Sequence, residues 1–325
     1  MPKRKPGRPR KTRKKTSKKS KRHLSKALAG IIMLAAVVFV AAVVVHYHGV
    51  QSRSIKRQAY SPSHKSPHRV PKFEVYPGED IHVPKPIPGP KTAEPKTLPL
   101  VAIIIDDLGY NRALAKKFIN MGASLTLSVL PHSPFQKMIL REARLKGLET
   151  MLHLPMEPRE YPRVDPGPGA LLTSMSPDEL IDQLNENLDA LPTIKGVNNH
   201  MGSKMTAMSS QMYQIFSVLK KRNLYFIDSK TSADSLCRPS ARLLKVRFAQ
   251  RDVFLDHTMD PTIIKKQINK LIRIAMAHGQ AIGIGHPHKV TYDILISELP
   301  RMKKKVRLVP ASMVVHLVKE SGGSG

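Results

Sequence analysis

The chain has 325 residues, with 54 Lys and Arg against 24 Asp and Glu, a formal net charge of +30, and a single cysteine, Cys237. One cysteine excludes an intramolecular disulfide and any cysteine-built zinc site, so an oxidising compartment is permitted without being indicated. The basic excess gathers in residues 1–26, and everything dense enough in apolar residues to fold begins near Leu98, which excludes a second large domain.

Residues 1–26 form a basic tail expected to stay in the cytoplasm. Its opening KRKPGRPRK resembles an AT-hook, whose Gly-Arg-Pro core enters the minor groove of A·T-rich DNA. A topology signal that also touches anionic lipid is the plainer account, and DNA is weighed below it. From Ala27 to Val45 the run ALAGIIMLAAVVFVAAVVV holds neither charge nor proline. At ~1.5 Å per helical residue it nearly spans a hydrocarbon core of ~30 Å, so residues 27–46 are expected to be an uncleaved transmembrane anchor. A cleaved signal peptide would be shorter and end in small residues, whereas VVVHYH follows here. Lys and Arg crowd the N-terminal flank, which predicts a single-pass inner-membrane protein with its domain periplasmic or otherwise extracytoplasmic. Residues 47–97 are a proline-rich linker that spaces the domain from the bilayer, and residues 321–325 a flexible tail.

The domain, residues 98–320, opens on the apolar run LPLVAIII, read as a buried parallel strand that delivers Asp106 and Asp107 at its carboxyl end. A helix over Asn111–Asn120, a strand SLTLSVLP, a second helix and a strand ending ETMLHLPMEP follow. Ser176, Pro177 and Glu179 predict a capped helix that ends near Leu191. Strand-like GVNNH, a helix near Gln211–Lys221, strand-like LYFIDS and the run RFAQRDVFLD come next. A long helix starts at Asp260 and Pro261 and ends at Gly279, AIGIGHPH reads as a strand, and VRLVPASMVVHLV as a strand and short helix. The alternation predicts an α/β domain with a mainly parallel sheet.

Polar groups recur at the ends of successive apolar runs: Asp106 and Asp107, His153 and Glu157, Asn198 to His200, Asp228, then His286 and His288. In a parallel sheet or barrel those ends converge. Adjacent carboxylates raise one another's pKa unless a cation compensates, and neutral imidazoles are ready ligands, so a divalent metal resolves the charge conflict.

IDDLG resembles the Asp-Asp motif of the polysaccharide deacetylase (NodB-homology) superfamily, and the order of the later motifs resembles its divergent polysaccharide deacetylase branch, over roughly Leu98–Val318. Better-known members carry a His-x-x-x-His motif; GLETMLHLPME sets His153 at the first histidine and Glu157 at the second. The resemblance implies a deformed (β/α) barrel in which Asp107 and two histidines bind zinc or a similar divalent metal. His153 carries over directly, and His200 in VNNHMGS is the expected replacement ligand, with Glu157 the alternative. The resemblance further implies Asp106 as general base, His286 in GIGHPH as the acid histidine, and Asp228 in FIDSKTS as a catalytic partner. Asn199 and His288 are expected to contact substrate.

The leading expectation is therefore a metal-dependent hydrolase that removes acyl groups from a cell-envelope polysaccharide or peptidoglycan. A non-catalytic domain on the same fold, binding envelope glycan or an envelope protein, is the alternative, because the second motif histidine is replaced. Catalysis requires Asp106 and His286 as well as the metal, whereas binding survives their loss. DNA or anionic-lipid contact needs only the basic tail.

Overall fold

The computed structural model describes residues 97–318. The expected tail, anchor, all but the last residue of the linker, and the tail 321–325 lie outside the described residues. Among the described residues no helix is long and apolar enough to cross a membrane.

In chain order, β1 (Leu100–Leu108) leads to α1 (Arg112–Ile119), β2 (Thr126–Val129), α2 (Gln136–Leu145) and β3 (Glu149–Met156). Then come α3 (Pro177–Asp189), β4 (Gly196–Met201), α4 (Ser209–Lys221), β5 (Tyr225–Asp228) and α5 (Cys237–Leu244). The remainder is β6 (Arg247–Gln250), β7 (Val253–Phe254), α6 (Pro261–His278), β8 (Gln280–Gly285), α7 (Lys289–Lys305), β9 (Arg307–Leu308) and β10 (His316–Leu317). The caps read from sequence form: Asn111 accepts from the Leu114 N–H, Ser176 and Glu179 make a reciprocal capping box, and Asp260 accepts from the Thr262 and Ile263 N–H groups. Helices α5 and α7 escape a pattern reading because neither has a side-chain N-cap and each contains a proline, Pro239 or Pro300.

The strands order as β10-β6-β5-β4-β3-β2-β1-β8-β7, with β9 beside β1. All pairings are parallel except β10 on β6. Strands β6 and β7, expected as one run, are consecutive in sequence yet pair near opposite margins. The break falls at Arg251 and Asp252: the Arg251 N–H donates to Asp228 O at 2.9 Å, and the Asp252 N–H to Ile282 O at 2.9 Å. One length of chain thus draws the margins together, giving an α/β curled half-barrel sheet, the coarser form of the deformed (β/α) barrel expected.

Side chains alternate between the two faces of a strand. Val101, Ile103 and Ile105 pack with the helices in the larger core, while Ala102 and Ile104 join Met151, Tyr225, Ile227 and Ile282 in a second cluster on the inner face. The second cluster is sealed at the strands' amino ends by the C-terminal segment, where Val309, Val314 and Val315 are buried. Among the described residues these two buried clusters form the core, of the kind a single folding unit needs. Continuing the inner parity toward the carboxyl ends gives Asp106, Ser128, His153, Asn198, His200 and His286.

Candidate metal centre and active site

β1 positions two consecutive aspartates by breaking its own regularity. Strict alternation would send Asp106 inward and Asp107 outward. The pairing of β1 with β2 shifts register between Ile105 and Leu108, and Asp107 takes a left-handed φ of 53°. Asp tolerates that region better than most residues, and backbone in sparse conformations concentrates at functional sites. The turn brings the Asp107 carboxylate beside the inward histidines. Next to it, Gly109 has φ 145° and an added Cβ would lie 2.1 Å from Ser133 Oγ, so the chain leaving the site is fixed as glycine.

Asp107 Oδ1 lies 2.9 Å from His153 Nε2 and 3.0 Å from His200 Nδ1, and the two imidazole nitrogens are 3.2 Å apart. All three residues are buried. Three ligand atoms around one cation at bond lengths of about 2.0–2.2 Å stand roughly 2.9–3.5 Å from one another, so the separations match one face of a coordination shell. Asp107 Oδ1 is buried without a hydrogen bond, as is His200 Nε2 on the far side of its ring. The residues therefore fit a divalent cation.

Neighbouring groups set the histidine tautomer. Asn198 Nδ2 donates to both Asp106 oxygens, at 2.8 and 3.0 Å, which fixes its amide orientation. Its Oδ1 then accepts from Ser128 Oγ at 2.6 Å and faces His153 Nδ1 at 2.9 Å. Since Oδ1 can only accept, Nδ1 carries the proton and Nε2 keeps its lone pair toward Asp107. With no cation present, burial pushes His153 down but Asp106 and Asp107 outweigh it, and its pKa rises. Burial likewise opposes the Asp107 charge, yet His200 and His153 hold its pKa well below the usual carboxylate range. A proton and a cation thus compete for one position.

Across β1, Ile105 pairs with Gly285, so His286 follows directly beside Asp106. His286 Nδ1 bonds Asp256 Oδ1 at 2.8 Å, while Asp256 Oδ2 accepts from the His286 N–H and from Thr291 Oγ1, both at 2.7 Å. Burial lowers the His286 pKa, but the Asp256 charge and hydrogen bond, helped by Asp107 and Asp106, lift it to about 9. The Asp107, His153 and His200 cluster thus stands next to a carboxylate and a histidine held toward its protonated form.

A family profile described as divergent polysaccharide deacetylase matches residues 103–315. This chain belongs to the divergent polysaccharide deacetylase family. The uncharacterized protein YibQ of Escherichia coli strain K12 is 33% identical over 216 residues, spanning 66% of this chain and 67% of YibQ. An uncharacterized Haemophilus influenzae protein is 30% identical over 209 residues, 64% of this chain and 74% of its own. The crystal structure of the uncharacterized protein ATU2773 from Agrobacterium tumefaciens C58 superposes with a TM-score of 0.65 at 26% identity, covering 69% of this chain and 92% of that one.

In this chain the structure brings Asp106, Asp107, His153, His200 and His286 together and sends other expected residues elsewhere. Glu157 is outside the cluster: its carboxylate accepts from Lys204 Nζ and from the Thr173 N–H, an arrangement that lowers its pKa against the effect of burial. Asn199 and Asp228 have outward parity. Asn199 is 1% exposed, and its amide serves Met201 O, Thr231 Oγ1 and the Ser229 N–H, tying β4 to the loop after β5. Asp228 accepts from the Lys230 N–H at 2.7 Å and Ser235 Oγ at 2.8 Å, which organises the loop after β5. Burial raises its pKa, and the next residue, Ser229, has its Oγ 3.3 Å from Asn198 Nδ2. His288, half-buried with its ring 6.2 Å from that of His286, has its pKa lowered by burial and stands at the rim.

Asp256 and Arg251 lie beyond the residues expected at the site, and Asn198 is expected at a strand end without an assigned role. Asn198 follows from counting inward parity back from His200, and Asp256 ends the apolar run VFLD. Arg251 bonds Ser229 O and Lys230 O at 2.7 and 3.2 Å, lies 3.7 Å over the Phe254 ring, and has its pKa lowered to about 10 by burial. Nothing in RFAQRD marks it in advance as the joint between the sheet margins.

Proposed function

We propose that this protein is a metal-dependent hydrolase that removes acyl groups from a cell-envelope glycan. Family membership supports deacetylation as the reaction class. The observation that carries the proposal is the convergence of Asp107, His153 and His200 lone pairs beside a second carboxylate and an imidazolium. Asp107, His153 and His200 would hold a divalent cation, with zinc suited to the two nitrogens and one oxygen. When bound, the cation supplies Lewis acidity to the acyl carbonyl and to the attacking water.

The remaining chemistry belongs to the chain. Asp106, oriented through both oxygens by Asn198, takes a proton from the attacking water as general base. His286, kept protonated by Asp256, gives a proton to the departing amine or alkoxide. Burial of the cluster keeps bulk water from screening these charges. The apolar run at 27–46 supports attachment to the inner membrane with the domain outside the cytoplasm, where peptidoglycan and other envelope glycans are the substrates at hand.

The test is metal content by elemental analysis after gentle dialysis, joined to acetate release from envelope glycan oligomers. The proposal expects near-stoichiometric metal that is lost in Asp107→Ala, and acetate release that is lost in Asp106→Asn with metal retained. Metal without acetate release from any acylated glycan would instead mark a binding protein on this fold.

A further inference from the structure

The end of the domain opposite the metal cluster has a surface of its own. In strand-helix-strand connections with parallel strands, helix carboxyl ends and strand amino ends share one end of the sheet. Here the last turns of α1, α2, α4, α5 and α7 carry Lys117, Arg144, Lys220, Lys221, Arg242 and the run Lys303 to Lys305. Helix dipoles account for basic residues in last turns. They do not account for exposed Lys195 before β4, Arg247 opening β6 or Arg307 opening β9. Of the acidic groups at this end, Asp189 and Glu142 are paired with Arg222 at 2.6 Å and Lys116 at 3.5 Å, Glu149 accepts from Tyr225 and Ser312 inside the sheet, and Glu186 lies one turn behind.

A second feature coincides with the first. Among the described residues the four most exposed large apolar side chains are Leu145 at 79%, Leu243 at 68%, Met276 at 63% and Leu317 at 57%. Leu145, Leu243 and Met276 lie in the last turns of α2, α5 and α6, and Leu317 pairs with Arg247 at the start of β6. All four are therefore on the basic end. Thr97 to Pro99 enter β1 there as well.

We propose that this end docks on a bilayer surface bearing anionic phospholipid headgroups. Ammonium and guanidinium groups meet headgroup phosphates, and the projecting Leu and Met side chains enter the boundary between headgroups and acyl chains. Lysine and arginine alone would suit any polyanion. Apolar side chains interleaved with them suit a surface that is charged outside and apolar beneath. Docking turns the metal cluster away from the membrane, and the inference does not rest on the hydrolase reading.

The test releases the domain from the full-length chain through a protease site inserted between residues 80 and 90, and floats it with vesicles. One set is phosphatidylcholine alone, the other contains phosphatidylglycerol at ~30%. Expected is flotation with the anionic vesicles only, reversed as ionic strength rises. Changing Lys303, Lys304, Lys305 and Arg307 to Glu weakens it about tenfold or more, by loss of headgroup attraction. Leu145→Ser with Leu243→Ser, at exposed positions that leave the core alone, weakens it about threefold or more while metal content and melting temperature hold. No flotation on the anionic vesicles at low salt, or flotation that ignores both sets of changes, overturns the proposal. So does equally tight binding to duplex DNA that is indifferent to Leu145 and Leu243, which would make the end a general polyanion surface.

Discussion

Two polar layers line the inside of the curled sheet, one at each end, built from similar groups with opposite outcomes. At the amino ends Glu149 Oε1 accepts from Tyr225 Oη at 2.7 Å, Thr126 Oγ1 at 3.2 Å and the Ser312 N–H at 3.0 Å, and Thr126 Oγ1 accepts in turn from the Ala311 N–H at 2.9 Å. Donors meet acceptors throughout, so that layer locks the C-terminal segment against the barrel floor. At the carboxyl ends Asp107 Oδ1 meets imidazole nitrogens and no hydrogen bond. A satisfied network is structure, while a convergence of lone pairs is a place for a cation.

The largest effect expected from breaking this contrast is at the unsatisfied layer. Asp107→Ala should abolish metal binding and reduce acetate release by about a thousandfold or more, since both Lewis acidity and cluster geometry go. Elemental analysis and single-turnover assays check it, and the melting temperature should fall little in metal-free protein. The satisfied layer should behave in reverse: Glu149→Ala leaves metal content intact while costing roughly 2–3 kcal/mol of stability, because buried donors lose a charged acceptor. Urea unfolding of the metal-free protein measures this, and a loss of metal in Glu149→Ala would contradict the division into two layers.

A third expectation concerns pH. The folded pKa of His286 lies above its unfolded value of about 6.5, so the stability linked to its pairing with Asp256 is complete below that pH and is lost as pH rises through about 9. Asp256 has a lowered folded pKa, so its share is present above the unfolded value of about 3.9 and is lost as pH falls further. Asp256→Asn should therefore pull the alkaline limb of the rate profile down toward about 6.5, leaving the rate at pH 6 less affected than the rate at pH 8. A bound cation would offset the Asp106 and Asp107 charges, so the wild-type limb should stand below about 9. An unmoved limb in Asp256→Asn would remove His286 as the proton donor. The smallest effect belongs to Asn199→Ala, which should cost roughly 1–2 kcal/mol through the loop it ties to β4 and leave metal affinity unchanged.

The α/β alternation, most helix boundaries and the strand-end cluster of polar residues were legible because hydrophobic period and capping chemistry are local properties of the chain. Asp106, His153, His200 and His286 sit at inward parity on strands whose apolar runs are plain to read. Asn199 and Asp228 are placed away from the cluster for a reason the same runs contain: each lies one residue out of phase with the inward set. Glu157 could not be judged from spacing, since Lys204 and Thr173 claim it from 47 and 16 residues away.

The sequence by itself determined the order of strands and helices, the lone cysteine, the polar ends of the strands and the family. Tertiary structure decided which polar ends are partners. Register between β1 and β8 set His286 beside Asp106, and the irregular turn at Asp107 carried an outward residue to inward ligands. The joint at Arg251 and Asp252 gathered sheet margins whose separation along the chain gives no local signal. Contacts between residues tens of positions apart are fixed by strand pairing and curl, and neither is written in any short window of the chain.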